Sequence, residues 1–292
     1  MIYYYNPIID GDLTLSIDNI ILDVSISRPE LQDLLKSMVL NIGRGNSTRV
    51  ASWESRKQGT YRYQTSFQID DNRSFWLGNG LISGGTLIDR YRLDANPNKV
   101  GDNVNFELIR SFLVRNSRGG MCKMPRFDLA IDIPVDRSQC FLVKDRRLYI
   151  ERRHGVEYTQ YLGAKSSQVG RVKLYNKSAQ AKLADPLSRL ELTLAPDTPY
   201  EDLNFPEVYV LDKVTMAMDD VRLTETERFI LNAVLHNCGK VTELGRKTRD
   251  KIKGVMDDHL RKIKISKEAY AQILEQLTSY CTEGATTKEM LL

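Results

Sequence analysis

Three segments of the sequence place chemically reactive side chains at alternate positions. In PRFDLAIDI, apolar residues alternate with a polar set that includes Asp128 and Asp132. The polar set of GRVKLYNK includes Tyr175 and Lys177, and that of LSRLELTL includes Glu191. Because successive side chains of a β-strand point to opposite faces, each segment is predicted to carry a polar face and an apolar face.

If these strands are neighbours in one antiparallel sheet, their shared polar face could carry out a nucleophilic displacement at a phosphodiester. A tyrosine hydroxyl has a pKa of about 10 and needs a nearby cation or base to become a good nucleophile. Lys173, Lys177 or a metal could supply that cation. The carboxylates could hold Mg²⁺ or Mn²⁺, which suit oxygen ligands and polarise phosphate oxygens. The product would be a phosphotyrosine at one DNA end and a free hydroxyl at the other.

A simpler interpretation of the same alternation stays open. Any antiparallel strand with one solvated face shows alternating polar residues. On this interpretation Asp128 and Asp132 pair with Arg126, and Tyr175 is a packing aromatic with a solvated hydroxyl. The alternation by itself favours this simpler interpretation.

The elements that would position these residues form two series. The first is predicted to be β-α-β-β-β, with a strand over 18–26, a helix from Pro29 to about Asn41, and strands over 61–69, 73–78 and 87–94. A helix over 105–114 and a glycine-rich break at 118–120 follow. The second series comprises strands over 125–133, 141–151, 157–163, 170–177 and 187–194.

Short matches between the two series hint at a duplicated unit. Each carries an aromatic-Leu-Gly tripeptide, beginning at Trp76 and Tyr161, and then an Arg-Leu-acid tripeptide, beginning at Arg92 and Arg189. Chance is the competing explanation for such short matches. The predicted fold is α+β, with antiparallel β-sheets, helices packed on one face, two related β-α-β-β-β halves and a C-terminal helical segment. The predicted divisions are 1–116, 121–200 and 221–292.

The C-terminal segment is predicted to be helical and basic. Thr224 and Glu227 form a capping-box pattern at the start of a helix that Gly239 can stop. Further helices are predicted over 242–264 and from Ser266 towards Tyr280, followed by a loose tail. Residues 240–267 hold ten Lys/Arg against four Asp/Glu, which suggests a polyanion partner or a solvated helix face. A helix-turn-helix-like DNA reader would use Arg246, Lys247, Arg249, Lys251 and Lys253.

The composition limits the classes of protein to which the chain can belong. Its 292 residues are 41% hydrophobic and 27% charged, with a net charge of +4, as in ordinary globular proteins. The four cysteines form no C-x-x-C pair and the three histidines no ligand spacing. A membrane role is not expected, and the sequence start, which lacks the features of a secretory signal, favours a cytoplasmic location. No P-loop motif is present, so strand separation would need a partner helicase.

The reactive segments occur in a definite order together with others. The order is Arg126 to Asp132, then Tyr161-Leu162-Gly163 with Ser166 and Ser167, then Leu174-Tyr175-Asn176-Lys177, then Arg189-Leu190-Glu191, and the first half adds RLDANPNK from Arg92. In this order and approximate spacing, the chain resembles the replication initiation factor family. That family comprises trans-acting rolling-circle plasmid replication initiators and related relaxases of conjugative elements. The resemblance covers about residues 18 to 195.

The resemblance implies a site- and strand-specific nick at a plasmid origin. Tyr175 falls at the position of the nucleophile, which forms a 5′-phosphotyrosine link and leaves a free 3′-hydroxyl primer, with strand rejoining at termination. Lys177 matches the lysine that follows, and Asp128, Asp132 and Glu191 fall on acidic positions that would hold Mg²⁺ or Mn²⁺. One departure is Gln180, since related sequences often have an acidic residue three positions after the lysine.

Partners and DNA contacts are expected from the same resemblance and from the positive charges. The expected partners are duplex and single-stranded origin DNA, a host helicase and a second copy of the chain. Gly163, Lys165 and Ser166 fall where a phosphate-contacting turn is plausible. The other candidate DNA contacts in the strands are Arg126, Arg171, Lys173 and Arg189. Two alternatives remain: a relaxase that nicks an origin of transfer, and a non-enzymatic DNA-binding regulator in which Tyr175 only packs.

Overall fold

The computed structural model describes residues 7–45, 48–118, 122–155, 157–167, 169–211, 220–235 and 238–282. Two predicted features, the glycine-rich break at 119–120 and the tail at 283–292, lie outside these ranges. The strands are β1 Ile8–Asp10, β2 Leu13–Val24, β3 Arg49–Glu54, β4 Tyr61–Gln68, β5 Ser74–Ser83, β6 Thr86–Ala95, β7 Lys123–Ile133, β8 Cys140–Leu142, β9 Tyr149–His154, β10 Glu157–Leu162, β11 Val172–Asn176, β12 Ser188–Leu194, β13 Val208–Val210 and β14 Arg261–Lys262. The helices are α1 Pro29–Arg44, α2 Pro97–Val100, α3 Val104–Arg115, α4 Lys177–Ala181, α5 Glu225–Leu235, α6 Arg246–His259 and α7 Lys267–Cys281.

Eleven strands form one antiparallel sheet that runs through both halves of the chain. Its order is β3-β4-β5-β6-β2-β7-β12-β11-β10-β9, with β1 also paired to β2. Outward from the central β2–β7 pair, the first half has β6, β5, β4 and β3, and the second half has β12, β11, β10 and β9. Without β1 and β8, these are the fifth, fourth, third and second strands of each half in chain order. The two halves are therefore related by a pseudo-twofold axis between β2 and β7. The predicted α+β fold with antiparallel strands is confirmed.

Helices cover the apolar face of this sheet. Leu35 of α1, Phe106 of α3 and Ile273 of α7 are fully buried in one core with strand residues such as Leu22 and Leu129. Each such side chain contributes about 1.5–3 kcal/mol through its removal from water. The prediction of helices on one face is thus confirmed. Among the helices in the described ranges, none is long and apolar enough to cross a membrane.

The C-terminal helices belong to two different cores. α5 and α6 pack against each other and against β13, in a second cluster that includes Tyr209, Leu231 and Ile252. β13 also pairs with β8 and β14 in a small three-stranded sheet. α7 instead packs on the main core, where Arg110 donates to the carbonyl oxygen of Tyr280 at 2.9 Å. The division at 221–292 stays a prediction.

Several predicted elements differ from those observed. β3 was not predicted because most of its side chains are exposed and show no apolar alternation. The strand predicted over 141–151 is two strands, β8 and β9, in different sheets. The helix predicted over 242–264 ends at His259, because residues 261–262 pair with β13. In the second half, a 3-10 turn at Arg137–Gln139 and β8 lie between β7 and β9, where the first half has α1.

The pseudo-twofold axis relates the two tripeptides of one match but not those of the other. Arg92-Leu93-Asp94 lies on β6 and Arg189-Leu190-Glu191 on β12, and these strands are equivalent. The tripeptide at Trp76 lies within β5, whereas that at Tyr161 ends β10, and these strands are not equivalent. The strand order and the Arg-Leu-acid match therefore support a duplicated unit, and the aromatic-Leu-Gly match does not.

Candidate active site

The strand register brings the predicted reactive side chains together on the polar face. Tyr175 of β11 is opposite Arg189 of β12, which is opposite Asp132 of β7. In the next row, Lys173 is opposite Glu191. Since cross-strand partners share a face and lie within about 5.5 Å, these side chains form one cluster.

Among the described residues, the Tyr175 hydroxyl donates to the Glu191 carboxylate. Tyr175 Oη donates to Glu191 Oε1 at 2.6 Å, and Lys173 Nζ donates to Glu191 Oε2 at 3.0 Å. Lys173 Nζ also lies 3.8 Å from the centroid of the Tyr175 ring. Only 5% of the Tyr175 surface is exposed. The tyrosine is therefore covered by the same lysine that holds its acceptor.

Burial and the contact with Glu191 determine the protonation of Tyr175. Burial and the Glu191 carboxylate raise the pKa of the Tyr175 phenol well above its ordinary value. The phenol is therefore protonated at neutral pH, and a short hydrogen bond aims its proton at a carboxylate oxygen. The sequence assigned Glu191 to a metal, whereas its contacts in the structure are those of a proton acceptor for Tyr175.

Arg189 is held by two carboxylates. Its Nε and Nη2 donate to the two oxygens of Asp132 at 2.6 and 2.7 Å, and its Nη1 donates to Asp18 Oδ1 at 2.9 Å. Such a two-pronged pair is among the stronger charge-assisted contacts. The Arg189 side chain is only 10% exposed. Arg189 therefore orients this cluster, and this geometry does not direct it towards DNA.

Asp18 is a member of the cluster that the sequence analysis missed. It lies at a shift in the β2–β7 register between Ile17 and Asn19, where β2 has one extra residue. Asn96 Nδ2 donates to Asp18 Oδ1 at 3.1 Å, and Asn98 Nδ2 donates to the Ile17 carbonyl oxygen at 3.0 Å. The N-P-N-K segment thus fixes the bulge. That segment was the available signal for this part of the site, but the sequence does not show that it contacts β2 at Asp18.

Asp128 lies one row beyond Glu191 on the same face. Its Oδ1 accepts a hydrogen bond from Thr193 Oγ1 at 2.7 Å. Burial, followed by the charges of Glu191 and Asp18, raises the pKa of Asp128 to about 6, against the lowering effect of Thr193 and Arg126. Asp128 is therefore a carboxylate whose ionised form is destabilised mainly by burial.

The predicted metal ligands fit a divalent ion only in part. Asp132 does not fit, because Arg189 occupies both of its oxygens. Ser16 lies in the same cross-strand row as Glu191, and its Oγ is buried and has no hydrogen-bond partner among the described residues. Asp128 has an oxygen that accepts no hydrogen bond from a described residue, whereas Glu191 could join a metal only if Lys173 left its Oε2. Mg²⁺ is commonly bound by one or two carboxylates together with substrate phosphates, which suits this set. Within the described ranges, no group of three or more His, Cys, Asp or Glu residues is arranged to hold a metal.

Asp128→Asn is expected to increase the free energy of unfolding at pH 8 by about 1–3 kcal/mol in the presence of a chelator. The raised pKa of Asp128 means that ionisation costs stability in the folded state. This cost is absent at pH 3.5, grows between about pH 4 and 6, and is complete above that range. Urea denaturation of both proteins across this range measures it.

Asp132→Asn is the matched control, because its carboxylate is paired with Arg189 and its loss should destabilise the fold. The explanation for Asp128 fails if Asp128→Asn is less stable than the unaltered protein at pH 8. It also fails if the difference in unfolding free energy between Asp128→Asn and the unaltered protein does not shrink towards pH 3.5.

Lys177 and Gln180 occupy the turn immediately after the tyrosine strand. Lys177 is the first residue of α4, and its Nζ donates to Gln180 Oε1 at 3.1 Å. Burial and the positive charge of Arg189 lower the pKa of the Lys177 ammonium. With Gln180 in place of an acid, this lysine has a neutral acceptor here, which favours release of its proton.

The chain is similar in structure to solved proteins. No protein-family model matches the sequence, and no curated protein matches it. Among solved structures, a rolling circle replication initiator protein from Geobacillus stearothermophilus is similar to the chain. The two are 13% identical, the similarity covers 91% of this chain and 97% of that one, and the TM-score is 0.38.

The predicted phosphate-contacting turn lies away from Tyr175. Gly163 has a φ of +90°, and Lys165 and Ser166 are exposed in the turn that follows it. β11 begins at Val172, opposite the end of β10, while Tyr175 lies near the other end of β11. The structure therefore does not bring Lys165 and Ser166 to the tyrosine.

Two other predicted DNA contacts of the strands have neighbours within the sheet. Arg171 lies with its guanidinium 4.9 Å from the centroid of the Tyr161 ring. Arg126 is half-buried, and its charge lowers the pKa values of Asp94 and Asp128.

The basic residues of α6 are partly neutralised by acids from distant segments. Lys251 Nζ lies 2.6 Å from Glu227, and Lys253 Nζ lies 2.6 Å from Glu207. Arg246 and Arg249 are both close to Asp250, at 3.7 and 3.5 Å. The Arg246 side chain is nevertheless 90% exposed, and Lys247 is exposed as well. Arg246 and Lys247 are therefore the most exposed of the five predicted DNA contacts on α6.

Proposed function

We propose that this chain cuts one strand of DNA, with Tyr175 as the nucleophile, and initiates rolling-circle replication of a plasmid. The observation that carries the proposal is the 2.6 Å hydrogen bond from Tyr175 Oη to Glu191, on a face that also holds Lys173, Lys177 and Arg189. A buried phenol aimed at a carboxylate and surrounded by cations has the parts needed for attack on a phosphodiester.

In the proposed displacement, Glu191 is the general base. Tyr175 Oη attacks the phosphorus atom while its proton passes to Glu191 Oε1. The bond between phosphorus and the 3′ oxygen breaks, which leaves a 5′-phosphotyrosine and a 3′ oxygen. Lys177, whose pKa is lowered, donates the proton that makes this oxygen a free 3′-hydroxyl. The reverse sequence rejoins strands at termination.

The positive groups have separate tasks in this proposal. Lys173 exchanges its ion pair with Glu191 for one with the scissile phosphate, which uncovers the tyrosine and frees the carboxylate to accept the proton. Arg189 keeps Asp132 and Asp18 in place and is a positioning residue. Asp128 and Glu191, with Ser16 Oγ, would hold Mg²⁺ or Mn²⁺, which would neutralise charge on the phosphate oxygens.

The choice of a plasmid initiator over other nicking enzymes rests on the ordered motifs that resemble the replication initiation factor family. Arg246 and Lys247 of α6 would bind the duplex part of the origin, while the sheet face takes the single strand. A partner helicase would separate the strands, and a second copy of the chain would complete the assembly. The reaction would take place in the cytoplasm.

The test is to look for a covalent adduct. The protein is incubated with supercoiled plasmid, and with single-stranded oligonucleotides that carry the origin, in the presence of Mn²⁺ or Mg²⁺. We expect relaxed plasmid, a protein–DNA band that survives denaturation, and a nucleotide mass on the peptide that contains Tyr175. Duplex binding with no adduct under any condition would instead identify a non-enzymatic regulator.

A further inference from the structure

The pseudo-twofold axis gives the reaction centre a counterpart in the first half of the chain. Asp23 of β2 accepts two hydrogen bonds from Arg92 of β6, both at 2.7 Å. Asp132 of β7 accepts two from Arg189 of β12 in the same way. In each half the arginine is opposite the aspartate on a neighbouring strand. The same charged pair thus marks both ends of the central β2–β7 pair.

The counterpart has no nucleophile at the place of Tyr175. The residue opposite Arg92 on β5 is Gly78, as the residue opposite Arg189 on β11 is Tyr175. A Cβ atom at Gly78 would lie 2.3 Å from the Trp76 ring and 2.7 Å from the Tyr61 ring. Two aromatic rings therefore occupy the space of a side chain, and this end is built without a strand-borne tyrosine at that position.

A cleft of about 960 Å³ opens at this end of the central pair, and most of the charges in its lining that have no ion pair within the described ranges are positive. Arg90, Arg118, Lys123 and Asp23 are among its lining residues. No hydrogen bond or ion pair to another described residue engages the side chains of Arg90, Arg118 or Lys123. Asp23 is neutralised by Arg92. Asp197, which is exposed, is the other acid that lines the cleft.

A cleft of about 550 Å³ lies at the opposite end of the same strands, beside the reaction centre. Its lining includes Thr14, Lys99, Asp132 and Arg189. The ends are defined by the opposed residues Thr14 and Asp132, and by Asp23 and Lys123. Thr14 and Asp23 are nine residue steps apart along β2, which corresponds to about 30 Å of strand.

We infer that the larger cleft is a second binding site for backbone phosphates of the single DNA strand whose scissile phosphate lies at Tyr175. Cations that have no ion-pair partner among the described residues attract a polyanion, and their desolvation is offset when phosphate oxygens accept from them. The site binds and does not cleave, because Gly78 takes the place of the nucleophile. This inference rests on the proposed function, since it assigns the strand held here to the one cut at Tyr175.

The test removes two cations of the cleft in the double variant Arg90→Gln, Lys123→Gln. Its matched control is Arg56→Gln, Lys57→Gln, which removes the same charge from exposed residues beyond β3 at the edge of the sheet. Affinity is measured by fluorescence anisotropy at several salt concentrations. One oligonucleotide, of about six nucleotides, reaches only the nick site, and the other, of about twenty-five, reaches both clefts.

We expect the cleft variant to bind the long oligonucleotide on the order of tenfold more weakly than the unaltered protein at low salt. The slope of log affinity against log salt should fall by about 1.4, which corresponds to two phosphates of a single strand. Binding of the short oligonucleotide and its adduct formation should not change. The control variant should keep the slope of the unaltered protein.

The inference is overturned if the cleft variant and the control behave alike on the long oligonucleotide. The proposed function fails separately, through absence of the Tyr175 adduct. An adduct with unchanged long-strand binding in the cleft variant would sink this inference alone.

Discussion

Replacing Tyr175 with phenylalanine is expected to lower the rate of strand cleavage by at least about 1,000-fold. The substitution removes the atom that attacks phosphorus and keeps the ring that Lys173 covers. No other tyrosine hydroxyl in the described ranges donates to Glu191. The measurement is the single-turnover rate of adduct formation on a single-stranded origin oligonucleotide.

Binding should separate this loss from a general failure of the protein. Tyr175→Phe should retain its affinity for duplex DNA, and its free energy of unfolding should change by about 1 kcal/mol, the contribution of one hydrogen bond. Tyr161→Phe is the matched control, because Tyr161 is opposite Lys173 on the next strand and should keep full activity. Cleavage that persists in Tyr175→Phe would show that another group attacks.

Arg189→Met is expected to lower the free energy of unfolding by about 3–5 kcal/mol. The substitution keeps a long side chain and removes the charge that pairs with Asp132 and Asp18. Both carboxylates then remain in a mostly buried cluster without a counter-charge. Urea denaturation at pH 7 measures the change. Adduct formation should fall as well, because the residues beside Tyr175 lose their fixed positions.

The pseudo-symmetric pair supplies the control for this prediction. Arg92→Met removes the equivalent arginine, whose side chain is 29% exposed and whose one ion pair is with Asp23. This substitution should lower the free energy of unfolding by less, about 1–2 kcal/mol, and the loss should be smaller still at high salt. The double variant Arg189→Met, Asp132→Asn should recover part of the loss. Equal costs for the two arginines would contradict the role given to Asp18.

Much of the candidate site could be predicted because alternation along a strand is a local property. The pattern of apolar and polar residues fixes which side chains share a face, so Asp128, Asp132, Tyr175 and Glu191 could be assigned to one polar surface. The same holds for the helix that begins after Thr224, where Glu227 Oε2 accepts from the Thr224 backbone N–H at 2.9 Å. Its capping box is encoded within four residues.

The roles of the acidic residues could not be predicted, because they depend on partners from other strands. Glu191 was assigned to a metal, and its contacts with Tyr175 and Lys173 follow only from the β11–β12 register. Asp132 pairs with Arg189, which lies 57 residues away along the chain. A strand pattern with a period of two carries no information about which residue lies opposite, so these pairings need the assembled sheet.

The sequence by itself determined the polar and apolar faces, the helical C-terminal segment and the chemical types available at the reaction centre. Only the tertiary structure decided that Asp18 joins this centre, through a bulge that Asn96 and Asn98 hold from 78 and 81 residues away. It also decided that Gly78 stands where the other half has Tyr175. The physical reason is that strand order and register are fixed when the apolar face of the sheet and the apolar faces of the helices are buried in one core. No local segment of the sequence specifies that arrangement.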